Sequence, residues 1–365
     1  MPSWKTICNW TGIVFLLFLG IPIRIKNPDA DIQKEFDDYI HTFNKTYVPG
    51  TEEYTHRFDN FKGTLARIQE LNAGKLNSNL GANYGLTKFS DLTEDEFLAL
   101  HLDRVKMLSP KHQLKNRAQA AYKGGTPERW NLNDGGHRTR RAAIASGLPL
   151  KFDWRELGVI GPVADQGLCG ACWAYSTVQA AEAMAARKAG NLTALSVQQI
   201  IDCATNGNFG CKGGDICSLL FWLTKNNISM GPALDYPTTG KSSVCRAPKG
   251  IAGGVRIKDF TCGMVIGREM DIVRWVAQTG PAAVAVNALS WQNYLGGVIQ
   301  HHCPGAQTAL NHAVQIIGYD LTADVPFFIA KNSWGSTFGL NGYIHLAIGG
   351  NMCGLANEVS MINIV

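Results

Sequence analysis

The cysteines of this chain limit what it can fold into, because their number and positions indicate a disulfide-bonded domain. One of the ten cysteines, Cys8, lies near the N-terminus, and the other nine all follow residue 168. Cysteines pair in oxidising compartments, and an odd number leaves one thiol outside the disulfides. We therefore expect a disulfide-bonded C-terminal domain that keeps one thiol for another role. Zinc is the competing use of clustered cysteines, but these spacings match no usual zinc pattern, so we expect neither a metal nor a cofactor.

The N-terminus has the pattern of a secretory signal peptide. Lys5 precedes an apolar run, Gly12–Ile23, which is shorter than the run of about 20 residues that a membrane-spanning helix needs. We expect residues 1–24 to be a cleaved signal peptide, with a signal anchor as the alternative, and no stable membrane span elsewhere. Three glycosylation sequons agree with a secretory route, and they begin at Asn44, Asn191 and Asn227.

The net charge of +5 is concentrated in one segment. Residues 102–147 contain ten Lys and Arg against three Asp and Glu, whereas residues 148–365 contain fourteen against thirteen. A nucleic-acid-binding domain needs a basic folded surface, so the nearly neutral C-terminal part excludes that function. Residues 103–147 have little apolar periodicity, and we expect a flexible, basic connector that is removed on maturation. This connector contains Arg138–Arg141, which resembles a proprotein-convertase site.

The segment Gln166–Ala174 carries the strongest chemical pattern in the chain. It places Cys172 at the start of an Ala-rich helical stretch, Trp173–Gly190, where the positive end of the helix dipole favours a thiolate. A thiolate paired with a histidine is a nucleophile for acyl transfer. His312 and Asn332 can supply that histidine and a group that orients it.

These residues resemble the signature of the papain-type cysteine proteases. Gln166–Trp173 matches its first part, and His312 and Asn332 follow in the family's order, 140 and 160 residues after Cys172. The resemblance implies that Cys172 attacks a peptide carbonyl and forms a thioester acyl-enzyme. His312 would form an ion pair with Cys172 and protonate the leaving amine, and Asn332 would fix the orientation of the imidazole. Gln166 would donate its amide to the oxyanion beside the Cys172 backbone N–H.

The same resemblance implies an α+β fold of two domains, a helical left domain and a β-barrel-like right domain that face each other across a cleft. This peptidase part would cover residues 148–365, because the sequence from Leu148 resembles the family's mature N-terminus. Cys172 would stand on one wall of the cleft, with His312 and Asn332 on the other. A helical pattern precedes several β-like runs, which are Ala282–Val286, Ala313–Tyr319, Pro326–Lys331 and Tyr343–Ala347.

The resemblance also implies a set of disulfides in the peptidase part. The three implied pairs are Cys169–Cys211, Cys203–Cys245 and Cys303–Cys353. Cys217 and Cys262 are left over, and they could either bridge each other or stay apart. Cys172 is then the cysteine that serves as the nucleophile.

Two motifs upstream resemble the inhibitory prosegments of this family. Helical patterns occur at residues 31–47 and 51–76, and Gly85–Asp91 resembles a companion motif in which Thr87 replaces an asparagine. The second helix is similar to the ERFNIN pattern, with Thr64 in place of asparagine and with one face formed by Glu53, Arg57, Phe61, Ile68 and Asn72. Either motif alone fits an ordinary amphipathic helix. Together they imply a mostly α-helical inhibitory prosegment over residues 25–102, which packs on its own enzyme and runs backwards through the cleft.

The substrate site is implied by the resemblance alone. Gly213 and Gly214 would hydrogen-bond an extended polypeptide substrate through their backbone. Glu358 would lie at the base of the pocket for the second residue before the scissile bond, where an acidic group favours Arg or Lys. A solvent-exposed Glu358 is the alternative. The walls of this pocket would be Ile216, Ala285, Leu310 and Ala313.

We therefore expect the zymogen of a papain-type cysteine endopeptidase, since no insertion resembles an exopeptidase blocking loop. The expected location is the lysosome or endosomal lumen, or outside the cell. The expected partners are polypeptide substrates and cystatin-type inhibitors, and the expected state is a monomer. Phe338 replaces the second tryptophan of the family's Asn-Ser-Trp-Gly-x-x-Trp-Gly run. Ala171 and Lys212 depart slightly from their motifs. The alternatives are a non-catalytic binding protein on the same fold, and a structural or inhibitory protein that acts through its prosegment.

Overall fold

The structure is a computed structural model that describes residues 28–73, 81–102, 137–247, 250–252 and 254–365. The predicted signal peptide and residues 103–136 of the predicted connector lie outside the described residues. Contacts divide the chain into two compact units, Met1–Tyr54 and Thr55–Val365. No helix among the described residues has the length and apolar character that crossing a bilayer requires.

The first unit contains helix α1 (Pro28–Thr42), which the helical pattern predicted. Phe36 and Tyr39 are buried on it, and the Phe36 ring packs against both Tyr39 and Tyr54. These aromatic contacts give the short helix a small apolar core of its own, which a helix of this length needs in water.

Helix α2 (Glu52–Ala73) starts in the last residues of the first unit, and most of it belongs to the second unit, which also contains strand β1 (Asn83–Tyr84) and helix α3 (Glu94–His101). The start of α3 is fixed by a capping box, in which the Thr93 hydroxyl accepts from the Glu96 N–H and the Glu96 carboxylate accepts from the Thr93 N–H. Both helices fall where the prosegment was predicted to be mostly helical.

Helix α4 (His137–Ala145) lies in the segment that we predicted to be a flexible connector. That prediction is wrong for these residues, because Ala143 is fully buried and Arg140 donates to the backbone oxygens of Leu321 and Ala323. Tertiary contacts therefore stabilise a helix that has no apolar stripe to reveal it. The removal of residues 103–147 on maturation stays a prediction.

The peptidase part contains helices α5 (Cys172–Ala189), α6 (Val197–Cys203), α7 (Ile216–Lys225) and α8 (Glu269–Gln278). Helix α5 ends at Gly190, whose φ of 76° is a left-handed conformation that glycine adopts without strain. Its residues are buried on nearly every side, so α5 is the central helix of this part. Short 3₁₀ helices occur at Trp154–Leu157, Gly210–Lys212, Leu289–Asn293, Gln307–Ala309 and Met352–Gly354.

The strands form one large mixed sheet and one small sheet. The remaining strands are β2 (Lys151–Asp153), β3 (Ser229–Met230), β4 (Val255–Gly263), β5 (Ala282–Val286), β6 (Tyr294–Gly296), β7 (Val298–Ile299), β8 (His312–Asp320), β9 (Phe327–Lys331), β10 (Tyr343–Ala347) and β11 (Val359–Ile364). The large sheet has the order β3-β4-β11-β5-β8-β9-β10-β7, with β2 paired to β8. Its pairs are antiparallel except for β7 and β10, and β1 pairs separately with β6. The four predicted β-like runs all form strands.

Among the described residues, two large apolar cores and a smaller cluster of Ile317, Ile329 and Tyr343 pack against this sheet. One core lies among the strands and contains Trp291 and Trp334. The other joins α5, α6 and α7 to sheet residues such as Ala283 and Ala313. The N-terminus of α5 and the start of β8 are thereby brought to the same place, which is where the candidate site lies.

Candidate active site

Cys172 is the first residue of helix α5 and is 1% exposed. It is the cysteine that stays outside the four disulfides among the described residues. The backbone N–H groups at the start of a helix have no acceptor within that helix, and they carry the positive end of its dipole. This position therefore favours negative charge on the sulfur and on any oxygen bound beside it.

Cys172 and His312 line the same cavity. Helix α5 supplies the sulfur, whereas His312 is the first residue of β8, so the two side chains come from opposite walls. The other lining residues are Trp173, Gly214, Asp215, Ile216, Ala285, Leu310, Asn311, Ala313 and Glu358.

Asn332 fixes the tautomer of the histidine. The distance from His312 Nε2 to Asn332 Oδ1 is 2.7 Å, and the same oxygen accepts the Ser333 N–H at 2.9 Å. Since this oxygen accepts from a backbone donor, the Nε2 of His312 must donate its proton to it. Nδ1 is left as the ring nitrogen that can take and return a proton.

Trp334 covers this pair from solvent. Its ring stacks on the His312 ring with centroids 4.6 Å apart, and Trp334 is fully buried. His312 is 3% exposed, and burial lowers its pKa to about 4, with the Asn332 hydrogen bond acting against this and the charge of His101 adding to it. In this form of the protein the imidazole is therefore held neutral.

Gln166 is buried, at 2% exposure, beside the start of α5. Its Nε2 donates to the backbone oxygens of Cys169 and His101, at 3.0 and 3.2 Å. Its Oε1 accepts the Ser333 hydroxyl at 2.6 Å, which orients the amide so that its nitrogen faces the site. Ser333 therefore holds both Gln166 and Asn332. Sequence reasoning missed this residue, although its place next to Asn332 was a usable signal.

The disulfides agree with the implied pairing and resolve the pair that was left open. The structure contains Cys169–Cys211, Cys203–Cys245, Cys303–Cys353 and also Cys217–Cys262. The Cys217 and Cys262 sulfurs and a Glu358 carboxylate oxygen lie within 4.8 Å of one another. Because both sulfurs are bonded to each other, this group is not a metal site in the described part of the chain.

Six of the seven predicted substrate-binding residues line the cavity, and Gly213 does not. Gly213 has a φ of 113°, a conformation that favours glycine, and its pairing with substrate stays a prediction. A Cβ on Gly214 would lie 2.5 Å from the Trp173 ring, which excludes any larger residue there. Glu358 is only 5% exposed, so the alternative of a solvent-exposed glutamate is wrong.

The described prosegment residues reach the edge of this site. The Lys88 ammonium lies 2.6 Å from Asp165, the neighbour of Gln166. His101 Nδ1 lies 3.2 Å from the Gly167 backbone oxygen. The His101 carbonyl accepts the hydrogen bond from the Gln166 amide that was described above. The chain beyond residue 102, which was predicted to run through the cleft, lies outside the described residues.

Gln292 and Asn293 of the peptidase part hydrogen-bond to the companion motif of the prosegment. Gln292 Nε2 donates to the backbone oxygens of Phe89 and Leu92, both at 2.8 Å, and the Thr87 hydroxyl donates to the backbone oxygen of Gln292 at 2.6 Å. Asn293 exchanges two further hydrogen bonds with Gly85. Thr87 therefore makes a specific contact although it departs from the motif.

Aromatic packing joins the prosegment to Trp334, which stacks on His312. The rings of Phe89 and Phe97 meet the Trp334 ring edge-on, at 5.5 and 5.4 Å. Phe338, which replaces the family's second tryptophan, is buried and lies 4.8 Å from the Trp334 ring and 5.9 Å from Phe89. This departure thus keeps an aromatic side chain in the same cluster.

The ERFNIN-like helix α2 hydrogen-bonds to the prosegment residues Tyr84, Asp91 and Glu96. Arg57 and Asn60 donate to the backbone oxygen of Asp91 and to the Glu96 carboxylate, at 2.9 to 3.2 Å. Asn72 binds both the N–H and the carbonyl of Tyr84. Phe61 and Thr64 are buried, whereas Glu53 is exposed.

The three predicted sequon asparagines, Asn44, Asn191 and Asn227, are all exposed. A glycan could reach each of them without unfolding, and their occupancy stays a prediction.

Comparison with known families decides the assignment. The model of the papain family cysteine proteases matches residues 148–363, and that of the cathepsin propeptide inhibitor domain (I29) matches residues 36–97. The chain belongs to the papain family of cysteine proteases. It is thus a cysteine peptidase with a propeptide, and its α+β fold is the papain-like fold that the sequence predicted.

Individual papain-family relatives agree with this assignment. The chain is 36% identical to cathepsin O of Mus musculus over 86% of this chain and 93% of the relative, and 36% identical to cathepsin O of Homo sapiens over 83% and 86%. The solved structure of digestive procathepsin L2 proteinase from Tenebrio molitor larval midgut covers 91% of this chain and 99% of its own, with a TM-score of 0.73 and 26% identity. Three runs predicted the likeness to cathepsin O, and they are Leu195–Cys203, Ser290–Cys303 and Asn351–Ala356.

Proposed function

We propose that this chain is the zymogen of a cysteine endopeptidase in which Cys172 is the nucleophile and His312 carries the proton. Asn332 positions the imidazole, and Gln166 donates to the oxyanion. The observation that supports this most directly is that Cys172 and His312 line one cavity from opposite walls while Asn332 holds the Nε2 of His312. The Nδ1 of His312 is then available for the proton of the thiol.

The reaction proceeds in two halves. The Cys172 sulfur attacks the peptide carbonyl carbon, and the carbonyl oxygen becomes an oxyanion that accepts from the Gln166 amide and from the Cys172 N–H. The intermediate collapses to a thioester while the Nδ1–H of His312 passes its proton to the leaving amine. Water then attacks the thioester, gives a proton to Nδ1, and releases the acid product together with the thiol.

The prosegment keeps the enzyme inactive by occupying these same groups. The His101 carbonyl accepts from the Gln166 amide, so the oxyanion donor is engaged before any substrate arrives. The lowered pKa of His312 opposes the imidazolium that a thiolate–imidazolium pair needs. Removal of residues 25–147 would free the amide and leave a mature chain of residues 148–365.

The pocket beside the nucleophile selects the side chain of the second residue before the scissile bond. Its base is the buried Glu358 carboxylate, and its walls include Ile216, Leu310 and Ala313. Arg or Lys supplies the opposite charge with an apolar stem, so basic residues bind there beside hydrophobic ones. A Glu358→Gln enzyme should lose the preference for Arg over Leu in a peptide library, and an unchanged preference would reject this assignment.

The cellular setting is also part of the proposal. A signal peptide at residues 1–24, the exposed sequons and the disulfides support a lysosomal, endosomal or secreted glycoprotein. Polypeptides are the substrates, cystatin-type proteins are inhibitors of the open cleft, and the enzyme acts as a monomer.

The test is hydrolysis by the acid-matured enzyme. The wild-type enzyme should cleave internal bonds of a polypeptide blocked at both ends, whereas Cys172→Ala, purified in the same way, should not. A protein that binds such peptides without cleaving them would instead support the non-catalytic alternative. A stable precursor that is never cleaved but inhibits related proteases would support action through the prosegment.

A further inference from the structure

The Cys217–Cys262 disulfide differs from the other three in what it joins. Cys217 lies in helix α7 on the helical side, and Cys262 lies in strand β4 of the large sheet. Each of the other disulfides has at least one partner in a loop or a 3₁₀ helix, and none links an α-helix to a strand. A covalent link between the helical and sheet sides of the peptidase part is therefore provided by this pair, among the residues that the structure describes.

Both ends of this disulfide lead directly into the substrate pocket. Ile216, which lines the pocket, is the residue before Cys217. On the other side, Cys262 pairs with Ser360 in the register of β4 and β11, two residues from Glu358 at the base of the pocket. The Cys217–Cys262 bond thus joins the helix that carries one wall of the pocket to the strand that pairs with β11, which follows Glu358 at the base.

The disulfide also lies against the carboxyl group at the base of the pocket. Both sulfurs are within 4.8 Å of a Glu358 carboxylate oxygen, and Cys262 is buried while Cys217 is partly exposed. A disulfide offers the carboxylate no N–H or O–H donor. The disulfide is therefore part of the packing around this carboxylate.

We propose that the Cys217–Cys262 disulfide determines the substrate specificity of this peptidase by holding the Ile216 wall at a fixed distance from Glu358. This inference rests on the proposed function of the pocket. The wall and the base belong to different elements, α7 and β11, so without the bond only side-chain packing sets their separation. A change in pocket width equal to one methylene group alters kcat/KM by about tenfold or more.

The same bond makes the specificity sensitive to reduction. A low-molecular-weight thiol attacks the partly exposed Cys217 sulfur, the Cys217–Cys262 bond breaks, and a mixed disulfide forms. A second thiol resolves it, so that two external thiols become one external disulfide and both protein sulfurs become thiols. The reduced pocket would retain all its residues but lose its fixed width.

The experiment compares matched disulfide variants on three peptides that carry Arg, Leu or Phe as the second residue before the scissile bond. The Cys217→Ser/Cys262→Ser enzyme should change the Arg-to-Leu ratio of kcat/KM by about tenfold through KM, with kcat for the Leu peptide nearly unchanged. The Cys203→Ser/Cys245→Ser enzyme is the control, because neither cysteine is next to a residue that lines the cavity, and its ratio should match wild type. A ratio that is equal in all three enzymes overturns the proposal.

A second measurement uses only the wild-type enzyme, so it tests the proposal even if the Cys217→Ser/Cys262→Ser variant does not fold. The wild-type mature enzyme is equilibrated in buffers of increasing thiol-to-disulfide ratio, and the Arg-to-Leu ratio is measured with the fraction of reduced Cys217 and Cys262 from mass spectrometry. Selectivity that falls as this pair is reduced supports the proposal, and selectivity that stays constant overturns it. Failure to hydrolyse any of the peptides would instead contradict the proposed function.

Discussion

The buried histidine of the site makes the precursor sensitive to acid. Burial lowers the pKa of His312 from 6.5 to about 4. Above pH 6.5 the imidazole is neutral in both the folded and the unfolded chain. As the pH falls from 6.5 to about 4, His312 is protonated in the unfolded chain but stays neutral in the folded precursor. The folded state therefore loses stability relative to the unfolded state.

The size of this loss follows from the same values. The difference between 6.5 and about 4 corresponds to about 3 kcal/mol for this one group. The perturbation is His312→Gln in a Cys172→Ser precursor, which cannot process itself. Urea unfolding at about pH 7.5 and about pH 4 gives the free energy of unfolding at each pH. The loss on acidification should be about 3 kcal/mol smaller in the Gln variant than in the parent.

An exposed histidine supplies the control for this measurement. His301 is exposed, and His301→Gln should leave the pH dependence of unfolding the same as in the parent. If His312→Gln and the parent lose equal stability between the two pH values, the buried neutral imidazole is not what makes the precursor acid-sensitive, and the reasoning is refuted.

Three further predictions concern the oxyanion donor, the prosegment and the cut site. Gln166→Ala should lower kcat of the mature enzyme by about 10²-fold with little change in KM, measured by steady-state kinetics. Arg57→Ala should destabilise the precursor by about 1–3 kcal/mol and speed its acid maturation, whereas Lys62→Ala, at an exposed pair, should do neither. Arg141→Ala should leave maturation unchanged, because that bond lies within α4, and N-terminal sequencing should find a start near Leu148.

The proposed catalytic residues were identified from the sequence because each lies in a short contiguous motif. Cys172 and Gln166 share one loop and helix start, and the strand that carries His312 has a β-like apolar pattern. The end of α5 was also predictable, because Gly190 supplies the left-handed conformation that stops a helix.

What the sequence did not reveal depends on tertiary contacts. Helix α4 is held by the buried Ala143 and by hydrogen bonds from Arg140 to a distant loop, and no local pattern encodes them. Ser333 was missed because its role appears only when Gln166 is folded against it. The pairing of Cys217 with Cys262 stayed open, since cysteine spacing alone does not determine connectivity.

The most direct test of the account is the labelling of Cys172 in the matured enzyme by a thiol-directed epoxide. We predict that activity falls in proportion to label bound, that complete loss coincides with one label per chain, and that peptide mapping finds the label on Cys172. Peptidase activity that persists when Cys172 is fully labelled, or in the Cys172→Ala enzyme, would contradict the claim that this sulfur is the nucleophile.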